Sequence, residues 1–151
     1  MKLISRDESI NIIGIEIRTT NDNGIAFKDI PLHWQKFFEE SILNQIPNKV
    51  SSDVYGIYTN FENEGKNNEG TYSFIIGAQV KTLDHVPTQF ISTAIPKSNY
   101  QIFPVEAGHP EKVGEKWQEI WGLTFEKTRT FKTEFGLYKE TGEIEIFIGI
   151  E

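Results

Sequence analysis

The sequence predicts an α+β fold in which a strand-helix-strand-strand unit occurs twice, forming one antiparallel sheet with both helices on one side. The first observation is a repeated aromatic segment. Residues 33–38 (HWQKFF) and 116–121 (KWQEIW) superpose with Trp34 on Trp117, and the matching apolar positions lie on one face of a helix. The second observation is that two further apolar segments recur in the same order. They are 55–58 with 135–138, and 74–78 with 146–150.

The matching segments indicate an internal duplication. We place the two copies at about 8–82 and about 88–151, within a single domain that spans residues 1–151. A chain of 151 residues is long enough to bury one core. A cleft between the two copies is then the natural place for a ligand.

The first copy is predicted to run strand, helix, strand, strand. Its first strand shows apolar residues alternating with polar or small ones, which is typical of a half-buried strand. Asp29 is a candidate N-cap of the helix, with Pro31 in its first turn, and Pro47 forbids continuation. The predicted bounds are 10–19 for the first strand, 30–46 for the helix, and 53–61 and 71–81 for a hairpin.

The second copy repeats this order. Its helix begins after Pro110 and runs to about Gly122, a candidate C-cap. Glu140-Thr141-Gly142 is a turn between the last two strands. The predicted strands are 90–95, 100–106, 128–138 and 143–150.

The composition excludes several classes of function. The chain has 22 acidic and 15 basic residues and a net charge of −7, which repels a phosphate backbone and predicts no direct nucleic-acid partner. Among small charged partners, the same balance favours a cation. The absence of cysteine excludes disulfides and thiolate metal sites. No apolar run is long enough for a signal peptide or a membrane span, so we predict a cytoplasmic protein that binds no membrane.

Alternation along the strands predicts one sheet face under the helices and one open face. The last strand places Ile144, Ile146 and Ile148 on one side, and the repeat places Tyr72 and Phe74 on the same side, where we expect the helices. On the open face we expect four glycines and four large side chains. They are Gly56, Gly77, Gly136 and Gly149, with Tyr58, Ile75, Tyr138 and Phe147.

Glycines on a strand leave room above a sheet, and aromatic rings beside that room favour flat apolar ligands. The alternative is that the glycines mark bulges or twist and that the aromatic residues pair across strands. Glu145 on this face would either neutralise a bound cation or be a charged residue on a solvated strand. Trp117 and Trp121 are either core residues or walls of the pocket. The candidate ligand-binding residues are Tyr58, Ile75, Trp117, Trp121, Gly136, Tyr138, Glu145 and Phe147.

The sequence contains no recognisable catalytic, metal or cofactor motif. It lacks a GxSxG elbow, a GxxxxGK[ST] loop and an HExxH pair, and its three histidines, His33, His85 and His109, do not have metal-ligand spacing. We therefore predict no metal, no cofactor and no catalytic residue. Hydrolysis by a glutamate and a tyrosine alone stays open, because such a pair leaves little trace in a sequence.

The chain resembles the GyrI-like small-molecule-binding domains, which also serve as effector-binding domains of some AraC-type and MerR-type bacterial regulators. The resemblance lies in the order and spacing of several short segments. They are 54–62 (VYGIYTNFE), 72–80 (YSFIIGAQV), 95–103 (IPKSNYQIF), 117–121 (WQEIW) and 144–148 (IEIFI).

The resemblance implies a duplicated strand-helix-strand-strand fold whose cleft binds lipophilic, often cationic or aromatic compounds through aromatic rings and a carboxylate. One position departs from the family. Where the family has Phe-Glu-x-Tyr, this chain has Phe135-Gly136-Leu137-Tyr138, so that Gly136 replaces the acid. Cation preference, and the hydrolase activity proposed for some relatives, would then need another carboxylate, such as Glu145 or Glu119. No helix-turn-helix segment fits the sequence, which therefore looks like a stand-alone form.

The leading functional hypothesis is a binder of small lipophilic molecules, aromatic cations among them, that senses effectors or sequesters drugs. One alternative is a modulator of a protein partner, in the manner of a gyrase inhibitor. The other is a hydrolase of small electrophilic compounds that uses Tyr138 and a nearby glutamate.

Overall fold

The computed structural model describes residues 2–123 and 128–151 and contains one antiparallel sheet with helices on one of its faces. The predicted α+β class is therefore confirmed. The strand order across the sheet is β1-β6-β8-β7-β3-β4-β2-β5. The strands are β1 Lys2–Arg6, β2 Ile10–Thr20, β3 Val54–Thr59, β4 Thr71–Gln79, β5 Ile91–Ile95, β6 Ser98–Val105, β7 Arg129–Tyr138 and β8 Ile144–Ile150, and the helices are α1 Ile25–Glu39, α2 Ile42–Gln45 and α3 Val113–Trp121.

The strand order is symmetric about the junction of β3 and β7. From that junction the order runs outward through β4, β2 and β5 on one side and through β8, β6 and β1 on the other. Gly56 of β3 lies opposite Gly136 of β7 at the centre. The helices α1 and α3 thus cover different halves of one sheet face, and Tyr58 and Tyr138 pack against the cores beneath both. The duplication itself stays a prediction.

The connection between β5 and β6 curls the sheet. Only Pro96 and Lys97 separate β5, at one edge, from β6, which lies next to the other edge. Three residue steps span at most about 11 Å, whereas six strand spacings of a flat sheet span about 29 Å. The face opposite the helices is therefore concave and forms a second core. Its buried members include Ile12, Tyr55, Ile57, Ile75, Ile95, Tyr100, Phe135 and Phe147.

The predicted sheet faces are wrong for β3 and β7. Residues directly opposite each other in antiparallel strands point to the same side, and Gly56 pairs with both Ile76 and Gly136. Tyr58 and Tyr138 therefore lie on the helix side, together with Gly56 and Gly136. Alternation shows which residues of one strand share a side, but it does not show which side the helices cover.

The remaining face residues lie as follows. Ile75 and Phe147 lie on the concave side, which is buried rather than open. Gly77 and Gly149 also belong to this side, because they pair with Tyr55 and Tyr100.

The bounds of the first helix also differ from the prediction of 30–46. Helix α1 begins at Ile25, and Pro31 lies inside it, where it removes one backbone hydrogen bond. Asp29 is not the N-cap, because it lies inside α1, whose N-cap is Gly24. Its carboxylate accepts a hydrogen bond of 2.9 Å from the Thr19 hydroxyl. The helix ends before Ser41, whose φ of 50° interrupts it ahead of the short α2. The strand β1 was not predicted, because its five residues mix charged and apolar side chains without a clear period.

Candidate functional site

A cavity of about 290 Å³ lies between α1 and α3 on the helix side of the sheet. Strands β3, β4 and β7 form its floor. Its walls are mainly apolar and aromatic, as is typical of small-molecule sites. The lining residues are Asn21, Ala26, Phe27, Ile30, Pro31, Trp34, Tyr58, Phe61, Asn68, Tyr72, Pro110, Val113, Gly114, Trp117, Trp121, Arg129, Glu134 and Tyr138.

Trp34 forms the α1 wall of the cavity. Its ring centroid lies 5.0 Å from that of Tyr138 in a T-shaped contact, and it stacks on Phe38 at 5.9 Å. Helix α1 is fixed to the sheet beside this ring, because Nε2 of the buried His33 lies 3.0 Å from the carbonyl oxygen of Ile15. Burial lowers the pKa of His33, so its neutral form is favoured there.

Tyr58 connects the two halves at the floor of the cavity. Its ring lies 4.9 Å from that of Trp117 in α3 and 4.9 Å from that of Phe74 in β4. Burial is the main cause that raises the pKa of Tyr58 well above its usual value, and burial also raises that of Tyr138. Both hydroxyl groups are therefore uncharged near neutral pH and offer neutral hydrogen bonds to a ligand.

A buried ion pair provides the charge at the cavity. The Arg129 guanidinium donates to both carboxylate oxygens of Glu134, from Nε at 2.5 Å and from Nη2 at 2.6 Å. The side chains are 11% and 3% exposed. Glu134 lies directly opposite Tyr58 in the β3–β7 pairing. Because both of its oxygens accept hydrogen bonds from arginine, Glu134 could act as a general base only after leaving this pair.

Four of the eight predicted site residues line this cavity: Tyr58, Trp117, Trp121 and Tyr138. Trp121 is 44% exposed and lies at the mouth, whereas Trp117 is buried. Gly136 lies on the same side of the sheet, beneath the Tyr138 ring.

The other three predicted residues lie outside it. Ile75 and Phe147 are in the concave core, where Phe147 stacks on Phe135 with 4.4 Å between ring centroids. Glu145 forms an ion pair of 3.1 Å with Lys139. Glu119, the other acid considered, pairs with Lys116 at 3.0 Å on the surface of α3. Neither of the two carboxylates considered as a replacement at Gly136 therefore lines the cavity.

Sequence reasoning did not select Trp34, Arg129 or Glu134. Trp34 carried a signal, since it is the repeat partner of Trp117. Glu134 shares a strand side with Gly136 and Tyr138, so the alternation would have identified it once the side of Tyr138 was known. The Arg129 contact carried no such signal, because it depends on a bulge in β7.

Neither a metal centre nor a membrane-spanning helix is present within residues 2–123 and 128–151. No group of three or more His, Cys, Asp or Glu side chains there could hold a metal ion. In the same part of the chain, no helix has the length and apolar character needed to cross a bilayer.

The chain is similar to known proteins along almost its whole length. A family model for integron-associated effector-binding proteins, Cass2, matches residues 3–150. The integron cassette protein VCH_CASS2 from the mobile metagenome of Vibrio cholerae has 24% identity and a TM-score of 0.77, over 99% of this chain and 95% of that chain. No curated protein matches the chain.

Two other solved structures share the fold. SAV2435, solved bound to tetraphenylphosphonium, has 17% identity and a TM-score of 0.75, over 99% of this chain and 93% of that chain. A candidate bacterial transcription regulation protein from Staphylococcus aureus MU50 has 16% identity and a TM-score of 0.69, over 99% of this chain and 95% of that chain.

Proposed function

This chain belongs to the Cass2 family of integron-associated effector-binding proteins, and from that premise we propose that it binds small lipophilic molecules in the cavity between α1 and α3. The binding would serve to sense an effector or to sequester a drug. No turnover of the ligand is proposed, because Arg129 occupies both oxygens of the carboxylate at the cavity.

The observation that carries the proposal is the aromatic wall shared by the two halves. Trp34 from α1, Trp117 from α3 and Tyr58 from β3 all line one cavity of about 290 Å³. A flat or bulky apolar molecule between these rings would be transferred out of water. Each pair of aromatic rings in contact would contribute about 0.5 to 1.5 kcal/mol to binding, in addition to the hydrophobic effect of the buried area. The neutral tyrosine hydroxyl and asparagine amide groups that line the cavity would then fix its orientation.

One structural neighbour supports a lipophilic ligand. SAV2435, which has the same fold, has been solved with the lipophilic cation tetraphenylphosphonium. This compound and triphenylphosphine oxide are therefore suitable probes, because they share their phenyl groups and differ in charge.

The test is calorimetric titration of the native protein and of Gly114→Trp with both probes. Gly114 lines the cavity, and nothing lies within 4 Å of a Cβ atom placed there, so an indole can enter the space without a backbone clash. We expect the native protein to bind at least one probe and the variant to lose that binding. Gly114→Ala is the matched control and should bind as the native protein does. Equal affinity of the native and tryptophan proteins would show that the ligand binds elsewhere.

Exposed apolar side chains on α1 favour a second candidate function, the modulation of a protein partner such as gyrase. Phe27, Leu32 and Phe38 are 64%, 52% and 66% exposed, and exposed apolar surface of this kind is typical of protein contacts. The test is gyrase-catalysed supercoiling in the presence of the purified protein. Inhibition that Leu32→Ser relieves, with probe binding unchanged, would support this candidate, and unaltered supercoiling would dismiss it.

A further inference from the structure

We propose that Arg129 is the built-in counter-ion of Glu134, so that the native cavity selects uncharged lipophilic molecules over lipophilic cations. This inference rests on the proposed function, since it specifies the ligand class of the same cavity. It makes Arg129 a specificity-determining residue.

The charges that face the cavity support a neutral site. Among its lining residues in the described part of the chain, Arg129 and Glu134 are the ionised ones, and their charges cancel. The remaining polar lining side chains are uncharged: Asn21, Asn68, three tyrosines and the indole N–H groups of three tryptophans. Within residues 2–123 and 128–151, the lining therefore offers an entering cation no uncompensated negative charge to replace its lost hydration.

The geometry of the pair makes Arg129 hard to displace. Two parallel charge-assisted hydrogen bonds join a planar guanidinium to a carboxylate, which is the strongest arrangement that these groups form. Both side chains are nearly buried. A ligand cation would have to separate the pair and leave the arginine charge without its partner, which is strongly unfavourable in a buried position.

The backbone of β7 is shaped to bring the two residues together. Arg129 pairs with Ile150 and Glu134 pairs with Ile148. Between these two pairs, β7 advances by five residues and β8 by only two. The three additional residues form a bulge, and they place Arg129 where the next residue on the cavity side of a regular strand would be.

Two contacts hold this bulge in place. Phe131 within it has a φ of 51°, and its ring lies 4.5 Å from the guanidinium carbon of Arg129. Gly149 of β8 lies beneath it, where a Cβ atom would be 2.7 Å from Oγ1 of Thr130 and 3.1 Å from the carbonyl oxygen of Thr133. The Phe131 ring thus packs against the guanidinium of Arg129. The bulge lies so close to β8 that only a glycine fits at position 149.

The experiment compares the affinities for triphenylphosphine oxide and tetraphenylphosphonium in the native protein and in Arg129→Met. We expect the native protein to bind the uncharged oxide at least about tenfold more tightly, and the variant to bind the cation more tightly, which changes the affinity ratio by about 100-fold or more. Arg129→Lys keeps the positive charge and should keep the native order of affinities.

A second variant covers the case in which the lone Glu134 carboxylate prevents folding. Arg129→Met/Glu134→Gln removes both charges, so it should fold and should still prefer the oxide. A preference of this double variant for the cation would overturn the inference.

The outcomes separate this inference from the proposed function. If the native protein binds the cation as tightly as the oxide, and Arg129→Met leaves their ratio unchanged, the role of Arg129 is wrong while the cavity remains a binding site. If neither probe binds the native protein or any variant, the proposed function fails and this inference fails with it.

Discussion

Gly56 lies directly opposite Gly136 where β3 pairs with β7, and each of these glycines lies beneath one aromatic ring of the cavity. A Cβ atom on Gly56 would be 3.2 Å from Cζ2 of Trp34, and one on Gly136 would be 3.2 Å from Cε1 of Tyr138. The two rings contact each other at 5.0 Å. The paired glycines therefore set how deeply Trp34 and Tyr138 sit above the sheet.

The first prediction concerns Gly56→Ala. The added methyl group should push the Trp34 ring into the cavity, lowering the free energy of unfolding by about 1 to 3 kcal/mol and weakening the binding of the probes. Urea denaturation and calorimetric titration measure the two effects. Gly114→Ala, whose methyl group meets nothing within 4 Å, should leave probe binding unchanged and should not lower the free energy of unfolding, because alanine is favoured over glycine inside a helix such as α3. A Gly56→Ala protein as stable as the native one would show that Trp34 is not held against this glycine.

The second prediction concerns the pH dependence of stability through His33. Burial lowers the pKa of His33 in the folded protein, whereas in the unfolded chain it is about 6.5. The unfolded state therefore binds more protons below about pH 6.5, and this contribution to stability is complete above that pH and is lost as the pH falls towards the folded pKa.

The measurement is urea denaturation at several pH values between about 5 and 7.5, in the range set by the ordinary histidine pKa. His33→Gln, which cannot titrate, should lose less stability on acidification than the native protein. His85→Gln, at an exposed position, is the matched control for removing a histidine away from the core. Parallel pH profiles for the native and His33→Gln proteins would contradict the prediction.

The third prediction uses the two faces of the sheet. Phe147→Leu alters the concave core, on the opposite face of the sheet from the cavity, and should lower the free energy of unfolding by roughly 1 kcal/mol without changing probe affinity. Trp117→Leu removes a cavity wall that contacts Tyr58 at 4.9 Å, and should weaken binding at least about tenfold. Thermal unfolding and titration distinguish the two variants. A loss of affinity in Phe147→Leu, measured under conditions in which the protein is fully folded, would indicate that the ligand binds on the concave face.

The fourth prediction concerns the tyrosine hydroxyl groups. The pKa of Tyr72 is raised to about 12, mainly by burial, and burial also raises those of Tyr58 and Tyr138. The affinity for uncharged triphenylphosphine oxide should then be constant between about pH 7 and 10, although an ordinary tyrosine loses half its protons near pH 10. Titrations at three pH values check this. A fall in affinity near pH 10 would mean that one of these hydroxyl groups ionises in the free cavity.

Several features of the fold were predictable from the sequence because they depend on local patterns. The alternation of β2, β4 and β8 gave strands within one or two residues of their observed bounds, and the resemblance to GyrI-like effector-binding domains is confirmed. These features depend on side-chain periodicity and on segment order, which one sequence contains.

The rest depends on contacts between distant segments. The side on which Tyr58 lies is set by the pairing of Gly56 with Ile76, and alternation within β3 cannot specify that register. The burial of Phe147 follows from the short connection at Pro96, which curls the whole sheet. The neutralisation of Glu134 follows from a bulge, and an irregular strand has no periodic signal. Of the four predicted residues that line the cavity, Trp117 and Trp121 lie on a helix that the pattern predicted, whereas Tyr58 and Tyr138 are brought there by the strand register.

The aromatic wall has an optical consequence. The sequence contains three tryptophans, and all three, Trp34, Trp117 and Trp121, line the cavity. The tryptophan emission of the unlabelled protein therefore originates wholly from indoles at the candidate site. Quenching or a spectral shift on mixing with a compound library would report occupancy of that site without a dye or a competitor, whatever the natural ligand is.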